Sequence, residues 1–250
     1  MNGNVKILKP KYFFYTLLFL IIFLPTILYS VGYRFGNGFR IGKLGYLALT
    51  VPLPETTIYI DESKKIVTTK ENEKIKISLS PKEHSVIISR QSYYPWKKDI
   101  EIPSQKTVEI SPMLISQNPS GSIITKYDPE YLKIINSIKQ NSLPKKSEVK
   151  KSLDGSVEVW VENNTIMSQK NNIIFEVIKP EEVISNIEFY KNDNNAIVFS
   201  AGKGVYAVEI DKTGTQNFMP IYVGEKPLFI KADSASIYIQ DVGTLMQVII

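Results

Sequence analysis

Residues 187–210 read IEFYKNDNNAIVFSAGKGVYAVEI. Ile187 and Phe189 flank Glu188, the polar cluster Asn192-Asp193-Asn194-Asn195 follows, and Ala196-Ile197-Val198-Phe199 leads through Gly202-Lys203-Gly204 into Val205–Ile210. Apolar runs of this length, separated by an Asn/Asp turn and then a Gly turn, predict an antiparallel meander. The order returns further on: Leu228-Phe229-Ile230, a turn over Ala232–Ser236, Ile237–Gln240, a turn at Asp241-Val242-Gly243, and Leu245–Ile249. Phe189 and Phe229 lie 40 residues apart, a spacing within the range of blade-type repeats.

The same pattern extends toward the amino terminus. Val157, Val159 and Val161 alternate with Glu158, Trp160 and Glu162; Asn163-Asn164 turns into Thr165-Ile166-Met167, and Ile173–Ile178 follows. Residues 153–250 therefore look like β-propeller blades. Ninety-eight residues suffice for about two and a half blades, whereas closed propellers have at least about four. Three architectures stay open: an incomplete open array, a compact non-propeller sandwich, and completion by a second subunit. Val248-Ile249-Ile250 is expected to present an exposed strand edge, and with it self-association or partner capture.

Residues 46–115 also read as short strands. Ile58 and Ile60 flank Tyr59; Ile75, Ile77 and Leu79 alternate with Lys74, Lys76 and Ser78; Val86-Ile87-Ile88 is continuous; Trp96, Lys98, Ile100 and Ile102 share one parity. Pro52, Pro54, Pro81, Pro95, Pro103 and Pro112 fall between these runs, where no ladder hydrogen bond is lost. Composition and spacing predict an all-β domain, most simply a small sandwich.

The order of residues here resembles a PEGA domain, a small bacterial and archaeal β-sandwich. Pro54-Glu55-Thr56-Thr57 stands at the Pro-Glu-Gly-Ala element and Ile58-Tyr59-Ile60-Asp61 at the strand after it. Thr68-Thr69, Leu79–Val86 and Ser92-Tyr93-Tyr94-Pro95-Trp96 resemble its later elements. Thr56, Thr57, Lys82 and Ser92 replace its small turn residues, and β-branched or bulky residues rarely take positive φ. The turn geometries there are expected to depart from the family while the strand pattern stands. The resemblance implies an exported, membrane-anchored protein of the bacterial envelope, engaged in interaction and carrying no catalytic residues. It places His84 in a turn entering a strand, as a structural residue.

Residues 116–152 change character. Ser116-Gln117-Asn118-Pro119-Ser120-Gly121 has linker composition. Asp128-Pro129-Glu130 opens a helix over about 129–140 whose stripe is Tyr131, Leu132, Ile134, Ile135 and Ile138. Lys145, Lys146, Lys150 and Lys151 follow as a basic spacer without the interleaved aromatics of a nucleic-acid surface.

Tyr12–Val31 reads YFFYTLLFLIIFLPTILYSV, twenty residues without a charge. As a helix it would measure roughly 30 Å, the thickness of a bilayer's hydrocarbon core. Aromatic residues gather at both ends, and Pro25 is tolerated as a kink. A cleaved signal peptide is the competing reading, with Ser30-Val31-Gly32 as its cleavage site, but the apolar run exceeds the usual h-region of about 7–15 residues. The retained anchor is favoured. Lys9 and Lys11 before it, and Arg34, Arg40 and Lys43 after it, are assigned to the membrane interface. The charge count on the two sides is nearly a tie, so the orientation, a short tail of residues 1–11 in the cytoplasm and an exported body, rests on composition. Residues 32–45, GYRFGNGFRIGKLG, form a juxtamembrane connector; they neither follow a strand nor open a helix, as a phosphate loop would require.

The chain of 250 residues has no Cys and one His, which removes thiol nucleophiles, disulfide scaffolds, Cys-based metal centres and any multi-histidine site. Carboxylates, Ser/Thr, Tyr and Lys are the remaining catalytic resource, and Glu181, Glu182, Asp193, Asp211 and Asp233 are the candidates for acid/base carboxylates or a calcium site. Each lies beside turn formers, which account for them without chemistry. Asp193-Asn194-Asn195 lacks the alternating ligands of a calcium loop, Gly202-Lys203-Gly204 reads as a hairpin turn, and Asn163-Asn164-Thr165 fits a glycosylation acceptor without meaning in a bacterium that lacks the machinery. No catalytic, cofactor or metal site is assigned. The expected function is a single-pass, extracytoplasmic binding protein whose partner is an envelope protein or anionic wall polymer. The alternatives are a carboxylate-dependent glycan-active enzyme and a secreted protein with a cleaved signal.

Overall fold

The computed structural model describes residues 10–35, 41–141 and 148–250. Its fold is mainly β, with a long apolar helix at the amino end and one short helix further on. Contacts divide the chain into two compact units. The first comprises Met1–Thr50, Lys74–His84 and Glu101–Ile110; the second Val51–Glu73, Ser85–Ile100 and Ser111–Ile250. The strands of residues 46–115 are thus shared between the units.

In the first unit, α1 runs from Pro10 to Ser30 with Pro25 inside it. Tyr12–Ser30 has a mean hydropathy of 2.1 and none of it is buried against protein, so it is long and apolar enough to cross a membrane. The hydroxyls of Thr16 and Thr26 donate back to the carbonyls of Tyr12 and Ile22, which satisfies these polar side chains within the helix. β1 (Tyr33–Phe35) pairs antiparallel with β2 (Ile41–Lys43). β3 (Gly45–Val51) is the middle of a three-stranded sheet, between β6 (Glu73–Leu79) and a parallel β9 (Thr107–Ile110). Its alternation buries Leu47 and Leu49 and leaves Tyr46, Ala48 and Thr50 half-buried.

The second unit contains four four-stranded sheets. One is built from β4 (Thr57–Ile60), β5 (Ser63–Val67), β7 (Glu83–Ser89) and β8 (Trp96–Glu101), in the order β5-β4-β7-β8. The other three follow one another along the chain. The first of these is β11 (Lys150–Lys151), β12 (Val157–Glu162), β13 (Thr165–Lys170) and β14 (Ile173–Ile178). The second is β15 (Ile184–Phe189), β16 (Ala196–Ala201), β17 (Gly204–Glu209) and β18 (Phe218–Val223). The third is β19 (Leu228–Lys231), β20 (Ser236–Asp241) and β21 (Thr244–Ile249), completed by β10 (Gly121–Ile124).

Turn chemistry fixes these meanders. Asn163-Asn164 and Asn171-Asn172 are the two-residue loops on either side of β13, and all four residues take positive φ, as such hairpins require. Gly202-Lys203 joins β16 to β17, with Gly202 at a φ of 54°. The glycosylation-type triplet and the Gly-Lys-Gly triplet are therefore hairpin turns. β16 is buried along its whole length: Ile197, Phe199 and Ala201 enter a core shared with Val157, Val159, Ile166 and Val177 of the preceding sheet. A strand apolar at all but one position, Ser200, suits a sheet covered on both faces.

Two expectations are corrected. Residues 116–152 do more than link. β10 pairs antiparallel with β21, and α2 (Tyr131–Asn141) packs Ile134, Ile135 and Ile138 around Leu245, flanked by Leu228, Ile230 and Tyr238. These residues supply the fourth strand that a count from 153 onward lacks, giving three full sheets. The apolar strand at 244–249 is likewise not an edge, because β21 lies between β10 and β20 with both ladders occupied. The edges of that sheet are β10 and β19.

Candidate functional site

At the end of α1, Gly32 adopts a φ of 90° and its N–H bonds to the Tyr29 carbonyl, the left-handed residue that closes a helix. Arg34 completes the end. Its Nη1 donates to the carbonyls of Tyr29 (2.7 Å) and Tyr33 (2.8 Å), while its guanidinium carbon lies 3.4 Å from the centre of the Tyr29 ring. A cation here meets the negative end of the helix dipole. Lys43 Nζ sits 5.6 Å from the centre of the Tyr33 ring. Leu24, Pro25, Leu28, Tyr29, Tyr33, Arg34 and Ile41 line a groove of about 430 Å³ between the helix and the β1–β2 hairpin. Of the interface residues expected from the sequence, Arg34 lines this groove and Lys43 lies against Tyr33, one of its lining residues. Lys11 belongs to α1; Lys9 and Arg40 lie outside the described residues.

The Pro54–Thr57 turn is a hydrogen-bonded latch. Thr56 and Thr68 are buried; the Thr68 hydroxyl accepts from the Thr56 N–H and donates to the Leu53 carbonyl, to which the Thr56 hydroxyl also donates. Arg90 Nε donates to the Pro54 carbonyl. The left-handed residue is Glu55, at a φ of 56°, and not Thr56 or Thr57, so the β-branched pair carries no strain. Of the four departures from the family pattern, only Ser92 takes a positive φ, 65°. His84 is buried, with Nε2 2.9 Å from the Ser80 carbonyl, and serves the turn.

A polar cluster that sequence reasoning missed joins β8 to the β17–β18 hairpin. Glu209 is buried and accepts from Trp96 Nε1 (2.5 Å), Lys98 Nζ (3.1 Å) and Asn217 Nδ2 (3.0 Å). Lys98 also reaches Asp211 at 3.4 Å. The Asn217 amide accepts from the Lys97 N–H and donates to the Lys97 carbonyl, extending the edge of β8 as a strand would. The signal was present: Lys98 shares the inward parity of Trp96 and Ile100, and an inward lysine needs an acidic partner.

Of the candidate acid/base carboxylates, Asp193, Asp211 and Asp233 each accept a hydrogen bond from the backbone of their own turn, and so does Asp154, which the sequence had not singled out. Asp154 accepts from the Ser152 hydroxyl, the Ser156 N–H and hydroxyl, and Asn194, bonds that hold its carboxyl far below the usual range. Burial pushes Asp193 up, against the bonds it accepts from Asn195. Burial also raises Asp211, but bonds from Thr213 and the neighbouring Lys98 more than reverse it. Asp233 is lowered by the N–H groups and hydroxyl of its own turn, Ala235 first. Glu181 and Glu182 are exposed in the connection before β15. Asp154 and Asp193 do line one depression of about 280 Å³ with Ser111, Leu153 and Asn192–Asn195. Among the described residues no group of three or more His, Cys, Asp or Glu could hold a metal ion.

No protein family and no curated protein matches the chain. A crystal structure of a Bacteroides fragilis protein, described as membrane-associated and of unknown function, aligns over 82% of this chain and 94% of its own at 11% identity, with a TM-score of 0.25.

Proposed function

We propose that the protein is a single-pass, membrane-anchored interaction protein of the bacterial envelope, with its β-rich body outside the cytoplasm and no catalysis of its own. The observation that carries this reading is α1, whose apolar segment Tyr12–Ser30 has membrane-spanning length and is not buried against the rest of the chain, in a protein that is otherwise mainly β. The PEGA-like order of residues 46–115 and the blade-like meanders of 150–249 favour the same class, since such sheets present surfaces and their carboxylates are used by turns. An envelope protein or anionic wall polymer is the partner proposed.

Crosslinking in intact cells, followed by purification from the membrane fraction, tests this. Recurrent recovery of one envelope protein or wall polymer supports the proposal. Hydrolysis of envelope glycan by the purified chain, abolished by Asp154→Asn or Asp193→Asn, would replace it with the enzyme reading.

A further inference from the structure

The groove at the end of α1 has the two halves of a lipid site. Its wall from Leu24, Leu28 and Ile41 is apolar, and Ile41 is 54% exposed although it opens a paired strand. Arg34 lines the groove beside the Tyr29 ring, and Lys43 lies against the ring of Tyr33, which also lines it. No carboxylate pairs with either among the described residues. Arg34 is held in place by two carbonyl bonds from a single nitrogen, Nη1, and its other guanidinium N–H groups make no hydrogen bond among the described residues. A fixed guanidinium with uncompensated charge beside an apolar trough is complementary to a phosphodiester attached to an acyl chain.

We propose that this groove binds one anionic phospholipid, an acyl chain lying along Leu24, Leu28 and Ile41 and the phosphate meeting Arg34 with Lys43 beside it. The inference rests on the reading of α1 as a membrane anchor, and it names the lipid class that the anchor selects.

The full chain, reconstituted in vesicles of equal phosphatidylcholine and phosphatidylglycerol and extracted in mild detergent, is weighed by native mass spectrometry, with vesicle flotation run in parallel. One retained phosphatidylglycerol per chain is expected. Arg34→Gln should lower that adduct roughly tenfold, as loss of a charged hydrogen-bonded contact does. Ile41→Trp should lower it by filling the trough while leaving Arg34 intact, and inorganic phosphate should not displace it. Flotation without selective retention, retention unchanged in both variants, or displacement by inorganic phosphate would overturn the lipid site and leave the anchor standing. Failure to float with phosphatidylcholine vesicles would overturn the anchor itself.

Discussion

Glu209 is the residue on which the contact between β8 and the β17–β18 hairpin turns. Three side chains donate to one buried carboxylate, so its removal leaves Trp96 Nε1 and the Lys98 ammonium without their main acceptor. Glu209→Ala is expected to cost roughly 3–5 kcal/mol in denaturant unfolding, and Lys98→Met combined with Glu209→Gln should cost less than the sum of the two single changes. Val242 is a separate case. It precedes Gly243 in the turn between β20 and β21 at a φ of 44°, where a β-branched side chain is strained, and it is 71% exposed, so nothing packs to offset this. Val242→Asn should raise the unfolding midpoint, by about 1 kcal/mol of stability. The acid limb of stability has a defined sign. Asp154 and Asp233 have folded pKa values depressed by turn hydrogen bonds, so their contributions are present above the unfolded carboxylate range, near pH 4, and disappear as pH falls toward the folded values. Asp193, raised by burial, works in the opposite sense, its contribution being lost as pH rises through its folded value. Asp154→Asn should therefore flatten the loss of stability below pH 4, as read by thermal melts across pH.

At the scale of elements, β10 shows what the sequence signals and what it hides. Gly121-Ser122-Ile123-Ile124 follows a linker-like stretch and is too short for a period to show, while its partner, Leu245–Val248, lies more than 120 residues away. Pairing at that distance leaves no local trace, and the buried cluster at Glu209 was hidden for the same reason, its donors at Trp96 and Lys98 lying more than 110 residues off. What local pattern controls was legible. The apolar run of α1, the Ile134, Ile135 and Ile138 stripe of α2, and the Asn-Asn hairpins all follow from spacing and turn chemistry within a few residues. The expectation of an exposed carboxyl-terminal edge failed because β10 covers it. Gly121 makes this testable: a Cβ there would sit 2.3 Å from the Gln247 carbonyl oxygen, so β10 must shift. Gly121→Ala is expected to loosen the pair and remove slow hydrogen exchange at Leu245 and Gln247, whose amides face β10, leaving that of β16 unchanged. Retained protection at both amides would show that the pair does not depend on this close approach.

For the molecule as a whole, charge is divided along the chain. Residues 1–152 carry 23 Lys plus Arg against 12 Asp plus Glu, and residues 153–250 carry 7 against 13, so a net +5 is the sum of +11 and −6. The basic half contains α1 and the Arg34 groove, which suits an anionic bilayer surface, while the acidic half holds most of the three consecutive sheets. The central claim is that α1 spans the membrane with the β body outside. The absence of cysteine makes it directly measurable, because any introduced thiol is the only one in the chain. Tyr127 is 84% exposed in the second unit, and Asn4 precedes α1. In intact cells a membrane-impermeant maleimide should label Tyr127→Cys, and should label Asn4→Cys only after permeabilisation, with both chains resisting carbonate extraction. Labelling of Asn4→Cys in intact cells with Tyr127→Cys protected, or release of either chain by carbonate, would contradict the account.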